Sequence, residues 1–133
     1  MIFRCYSKSE EKICLEFYPC KNSGENITFE EWHSKKPLTI FLSDYRALLL
    51  DCLCEIYPLK DPTNNEIVDA FDECFTNWIG KEDWKSVIEK INAKINRSNN
   101  RATKLEKEFY TNFIEWIEKE LEWADLIVVE GNL

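Results

Sequence analysis

Apolar and polar residues alternate in two runs near the start of the chain, 2-IFRCYS-7 and 12-KICLEFY-18, with Ile13, Leu15 and Phe17 the clearest set. A period of two marks a strand with one buried face. The polar SKSEEK stretch between or overlapping the runs is a turn, so the pattern predicts an N-terminal β-hairpin. The segment 20-CKNSGEN-26 reads as a further turn. Thr28 and Glu31 have capping-box spacing and Ile27 with Trp32 that of a hydrophobic staple, which predicts a short helical turn over 29–34, ended by Pro37. The run 38-LTIFL-42 is too short for periodicity to decide between a buried strand and the lead-in to a helix.

From Ser43 the period becomes helical. Tyr45, Leu48, Leu49, Cys52, Leu53 and Ile56 recur on one face, with Ser43 placed to cap the helix and Pro58 to stop it. Pro62 and a second capping box, Thr63 to Glu66, predict another helix carrying Ile67, Phe71, Cys74, Phe75 and Trp78 on one face, with Gly80 as its C-terminal stop. A third helix, from about Glu82 to Asn96, turns Trp84, Val87, Ile88, Ile91 and Ile95 inward. Beyond 97-RSNN-100 a fourth, about 102–123, sets Leu105, Phe109, Phe113, Trp116, Ile117 and Leu121 on an arc of nearly half its circumference, wide enough for two neighbours. Finally 126-LIVV-129, short and partly β-branched, predicts a strand returning to the hairpin. The expected fold class is α+β: an N-terminal β-hairpin, about four helices in the middle and a C-terminal strand, with residues 1–133 forming one globular domain.

Composition narrows the function classes. With 44% apolar residues and 14% aromatic ones among 133, the chain has the material for a packed core. A formal charge of −8 disfavours direct binding to nucleic acid or to an anionic bilayer, both of which need Lys and Arg on phosphate; a cationic partner is easier to attract. No apolar run approaches the roughly 18 residues of a membrane span, and 1-MIFRCYSKSEEK-12 lacks the layout of a signal peptide, so the expected location is cytoplasmic. There the six cysteines (Cys5, Cys14, Cys20, Cys52, Cys54 and Cys74) are expected to be reduced.

Candidate chemistry changes this picture little. Nucleophilic catalysis by Ser or Cys usually needs an imidazole base, and the single histidine, His33, falls in the polar stretch 31-EWHSKK-36, where a surface position is expected. Cys52 and Cys54 on a helix point about 200° apart and cannot share one ion, and no second pair completes a zinc site. Gly24, Gly80 and Gly131 open no phosphate-cradling loop, and nothing in spacing singles out two of the 25 carboxylates for acid–base work. No catalytic, metal or cofactor site is therefore expected.

Charge is more informative, because it is segregated. Residues 1–43 are neutral and 44–78 carry −6, whereas 81–107 carry +4 and 108–133 carry −6. On the second predicted helix Glu66, Asp69, Asp72 and Glu73 lie away from Ile67, Phe71 and Cys74. On the last, Glu108, Glu115 and Glu122 recur every seven residues, with Glu118 beside them. Like charges three or four apart cost about 0.2–0.5 kcal/mol in helix stability, so such a stripe needs an offset. Either the lysines of 81–107 lie between the acidic helices and screen them, or the stripe is a docking face whose carboxylates steer a basic partner toward tryptophan anchors. Glu120, inside the apolar arc between Trp116 and Trp123, requires either an internal cation or solvent. The candidate partner-binding residues are thus Glu66, Asp69, Asp72, Glu73, Glu115, Trp116, Glu118, Glu120, Glu122 and Trp123. In size, charge and lack of an active-site signature the chain resembles the small acidic cytosolic immunity proteins that bacteria pair with secreted toxins, a likeness carried by no motif. It implies a non-catalytic inhibitor that neutralises a basic bacterial toxin, for instance a nuclease domain. An adaptor or regulatory subunit of a larger assembly is the alternative, and a Cys/His-dependent enzyme a second one.

Overall fold

The computed structural model describes residues 1–22, 33, 35–97 and 103–133. The strand expected over 12–18 is β1 (Cys14–Cys20), and 38–42 resolves into both of its readings: β2 (Leu38–Phe41) runs directly into a helix. That helix, α1, comprises Leu42–Asp44, a π-helical Tyr45–Leu49 and Leu50–Glu55. Two short strands, β3 (Leu59–Lys60) and β4 (Ile67–Val68), are followed by β5 (Thr76–Gly80). Helices α2 (Lys81–Arg97) and α3 (Lys104–Glu120) and strand β6 (Leu126–Gly131) complete the order.

One antiparallel sheet with strand order β2-β1-β6-β5 organises the molecule. β6 returns to β1 as the sequence predicts, in the register Leu15↔Gly131 to Cys20↔Leu126, and takes β5 on its other side. Alternation then divides the side chains. Leu15, Phe17, Leu38, Ile40, Ile79, Ile127 and Val129 join the helices in the main core, while Tyr18, Cys20, Leu126 and Val128 are buried on the opposite face. Burial on both faces explains why 126-LIVV-129 is apolar without interruption. Within the core Phe17 packs edge-on to Phe113 at 5.5 Å, and the Trp84 indole N–H donates to the Ile127 carbonyl at 3.2 Å.

The antiparallel pairing expected near the N-terminus is present in outline, but the partner of β1 is β2, with Cys14↔Phe41 to Phe17↔Leu38. Residues 2–7 do not fold back on β1. Ile2 bridges Thr39 in parallel, and the chain then wraps the buried Asp44, whose carboxylate accepts the N–H groups of Cys5, Tyr6 and Ser7 at 3.0, 2.5 and 3.2 Å. A buried carboxylate needs such donors, and these fix the path of the segment. Ser43 does not cap α1; its N–H and hydroxyl donate to Glu11.

The largest correction concerns the helix expected from Thr63 to Gly80: the described residues contain three helices, not four. Short polar side chains there bind backbone amides two residues on, Asp61 to Thr63, Asn64 to Glu66 and Asp72 to Cys74, and so compete with helical hydrogen bonds. Thr63 gives its hydroxyl to Asp61 instead of forming the capping box, and Asn65 adopts a φ of 64°. Asn77 in β5 then secures the following turn, donating to the carbonyls of Asp72 and Val129 and accepting the Asp72 N–H. Phe75, expected in the core, is 70% exposed. The helical turn predicted over 29–34 falls, His33 apart, outside the described residues.

Candidate acidic interaction surface

Helix α3 starts where Thr103 accepts the Glu106 N–H at 3.1 Å, and it buries Phe109, Tyr110, Phe113 and Ile117 against the sheet and α2. Glu108, Glu115 and Glu118 consequently stand exposed on its outer side, as the 3.6-residue period predicts, whereas the helix expected to about 123 ends at Glu120 and Glu122 is exposed in the turn that follows. Trp116 is partly buried against the core. Leu105, placed in the apolar arc by the sequence, is 60% exposed at the helix start. Glu120 resolves its burial conflict locally: it is partly covered and accepts the Trp123 indole N–H at 2.8 Å. Lys35 sits over the Trp123 ring, 5.6 Å from its centre, so this tryptophan is engaged at one face as well as through its indole N–H.

The other four candidates lie elsewhere. With no helix over 63–79, Glu66, Asp69, Asp72 and Glu73 form no helical stripe; Glu66, Asp69 and Asp72 are exposed on irregular chain and turns, and Glu73 pairs with Arg46 at 3.1 Å.

Geometry decides where the basic segment spends its charge. Lys94 reaches Asp51 at 3.0 Å and Lys90 reaches Glu55 at 3.7 Å, both on α1, while Lys85 pairs with Glu82 on its own helix. Burial lowers the Lys94 pKa, but the Asp51 hydrogen bond and the Tyr110 hydroxyl outweigh it, and the net shift is upward. Among the described residues Glu115, Glu118 and Glu122 take no ion pair within 4.0 Å. Two grooves flank this stripe. One of about 430 Å³ lies between α2 and α3, with Lys81 and Lys85 on one wall, Glu118 and Glu122 on the other, and Ile88 and Leu121 between them. The second, about 230 Å³, lies between the N-terminal segment and α3, where Met1 and Phe3 face Asn112, Glu115, Trp116, Lys119 and Glu120. Sequence reasoning missed Met1 and Phe3 as neighbours of α3, because alternation in 2–7 placed Phe3 in a hairpin strand and a period within one segment does not say which helix it will meet.

His33 and two of the buried cysteines are engaged within the fold. His33 is largely buried instead of lying on the surface; its Nε2 is 3.2 Å from Glu130 and its ring packs edge-on against Tyr18 at 4.5 Å. Burial, reinforced by Glu16 and Glu130, pushes the Cys14 thiol up to about 11, and burial with Asp51 does the same for Cys52. Both thiols are protonated at neutral pH, the opposite of what a nucleophile or metal ligand requires. Among the described residues no three His, Cys, Asp or Glu side chains gather in a way that could hold a metal, and no helix is long and apolar enough to cross a membrane. No family model matches the chain, and neither the curated proteins nor the solved structures contain a match to it.

Proposed function

We propose that this chain is a non-catalytic, acidic protein-binding protein whose α3 surface docks onto a basic partner protein. In this reading it is an immunity-type inhibitor working in the cytoplasm, covering the cationic face with which a toxin domain engages its own substrate. One observation carries the proposal: Lys90 and Lys94 of α2 are drawn to α1 and Lys85 to Glu82, so among the described residues Glu115, Glu118 and Glu122 take no ion pair within 4.0 Å, with the partly exposed Trp116 next to Glu115. Uncompensated carboxylates project a field that raises encounter rates with a cationic surface by about 10–10³, and an aromatic ring at the rim supplies the desolvated contact that slows dissociation.

The test is charge reversal. With the partner recovered from the native cell and purified, the association rate is measured for the wild type and for Glu115→Lys, Glu118→Lys, Glu122→Lys at low and at physiological ionic strength. The on-rate of the triple variant should fall at least about tenfold at low salt, and that difference should shrink as salt rises. Equal rates for the two proteins at low salt would remove the acidic face from the binding mechanism.

A further inference from the structure

The groove of about 430 Å³ between α2 and α3 joins the start of one helix to the end of the other, and Ile88 and Leu121 form its apolar floor. A helix presents the same face every seven residues. Seven places along from these two stand Ile95 and Ile114, both partly buried against the core. Because the helices run antiparallel, both steps lead the same way, and the apolar line continues for about 10 Å. Charge borders it unevenly. Glu89, Glu118 and Glu122 line the groove, and among the described residues none of them takes an ion pair within 4.0 Å. Against these three carboxylates stand Lys81 and Lys85, and the Lys85 ammonium lies 3.0 Å from Glu82 beyond the rim. With Glu82 included, four carboxylates face two ammoniums, so the groove is negative.

Walls of this kind restrict the occupant. Away from their ends the two helices bond their backbone N–H and C=O groups along their own axes, so an incoming chain finds no backbone partner and must satisfy its own, as a helix does. An apolar floor takes side chains spaced i, i+3, i+4 and i+7, and the excess of carboxylates selects basic flanks. We propose that a basic amphipathic helix of the partner lies in this groove as a third helix beside α2 and α3. Its apolar stripe rests on Ile88 and Leu121, and Lys or Arg residues one turn apart lie against Glu118 and Glu122, themselves four residues apart. A polar or acidic residue faces Lys81. The inference rests on the acidic-surface reading and names the element of the partner that this surface takes.

The probe is an acetylated, amidated peptide of repeating Leu-Lys-Lys-Leu-Leu-Lys-Lys, titrated into the full ¹⁵N-labelled chain. Amide shifts are expected at Lys85, Ile88, Glu118 and Leu121, and the peptide should gain helicity on binding. The same residues reordered as repeating Lys-Leu-Lys-Leu-Lys-Leu-Lys keep the charge but lose the helical stripe, and should bind at least about tenfold more weakly. Glu118→Gln with Glu122→Gln should weaken the helical peptide about fivefold. Glu10→Gln with Glu108→Gln removes the same charge from exposed positions outside the groove, and should change affinity less than about twofold. Ile88→Ser should weaken binding about tenfold; because Ile88 also packs on the core, replacing Leu by Ser in the peptide repeats that test on the unaltered protein. Equal affinity of the two peptides, or an equal loss in the two Gln pairs, would overturn the helix in the groove and leave the acidic surface standing, since charge alone would then account for binding. Absence of shifts at the four named residues, or self-association in sedimentation that Ile88→Ser abolishes, would also overturn it. Unchanged association with the native partner after the Glu115, Glu118, Glu122 reversal would remove the acidic surface itself, and this inference with it.

Discussion

Gly131→Ala perturbs the point where the C-terminal strand passes under the turn that carries Asp72 and Glu73. A Cβ at position 131 would stand 1.7 Å from the Glu73 carbonyl oxygen and 2.5 Å from its carbon, both backbone atoms. Restoring ordinary contact requires a displacement of about 1.5 Å. The turn is not free to move: Asn77 holds Asp72 through both its N–H and its carbonyl, and the Gly131 N–H donates to the Phe75 carbonyl at 3.0 Å. Overpacking of this kind costs about 1–3 kcal/mol, and giving up two hydrogen bonds adds about 1 kcal/mol each, for a total of about 2–5 kcal/mol. That is a large share of the roughly 5–15 kcal/mol by which a domain is stable, and it should lower the thermal midpoint by at least about 6 °C. Gly80→Ala is the internal control, because its added Cβ would meet only Pro62 at 3.8 and 3.9 Å, an ordinary contact. Urea and thermal unfolding followed by circular dichroism would compare the two. If Gly131→Ala lost less than about 0.5 kcal/mol, or behaved like Gly80→Ala, the close approach of the two backbones would be refuted.

Three further outcomes are expected. Deleting residues 126–133 removes the partner of both β1 and β5 and should abolish cooperative unfolding and the dispersed amide spectrum, and retention of either would contradict the sheet order. Asp44→Ala strips the acceptor from three N–H groups and should cost about 3–4 kcal/mol in urea unfolding, with Asp44→Asn intermediate, since it keeps one oxygen. Stability should also fall in alkali: the Cys14 and Cys52 thiols titrate near 9.0 when unfolded and near 11 when folded, so between these values the unfolded chain has released protons that the folded one retains. Their contribution is complete below about pH 9 and lost as pH rises through about 11, and the double variant Cys14→Val, Cys52→Ala should show a shallower decline over that window.

How much of this was legible in the sequence depends on the range of the interactions. Helices α2 and α3 follow from periodicity, because the groups that define them are neighbours in the chain and bury one face each, and β6 follows from an uninterrupted, partly β-branched run that is buried on both faces. The stretch from Thr63 to Gly80 misleads for the same reason: its apolar spacing suits a helix, yet Asp61, Asn64 and Asp72 bind nearby amides, and Asn77 reaches across to β6 at Val129. No single-segment pattern records a bond that spans 52 residues. Of the candidate site, the outward aspect of Glu115, Glu118 and Glu122 was readable from α3 alone, and the tie between Glu120 and Trp123 lies within one turn. Which lysines would compensate them was not, because Lys90 meets Glu55 and Lys94 meets Asp51 only through the packing of α2 on α1.

That packing also makes the stripe on α3 asymmetric. Along its α2 side Glu118 and Glu122 look across a groove at Lys81, Lys85 and Glu89, the lysines beyond ion-pair distance but close enough for partial compensation, since unit charges separated by solvent still interact at somewhat below about 1 kcal/mol. Along its other side Glu115 and Glu120 border Phe3, Trp116 and Met1, and two cations line that groove, the Lys119 ammonium and the α-ammonium of Met1. An incoming ammonium or guanidinium meets three carboxylates and two lysines in the α2 groove, and two carboxylates and two ammoniums in the N-terminal one, so the uncompensated negative charge lies on the α2 side. Net charge therefore overstates the breadth of the attractive surface. The pull on a basic partner is stronger where Glu118 and Glu122 border the α2 groove, and Ile88 and Leu121 between its walls add apolar surface to the charge there.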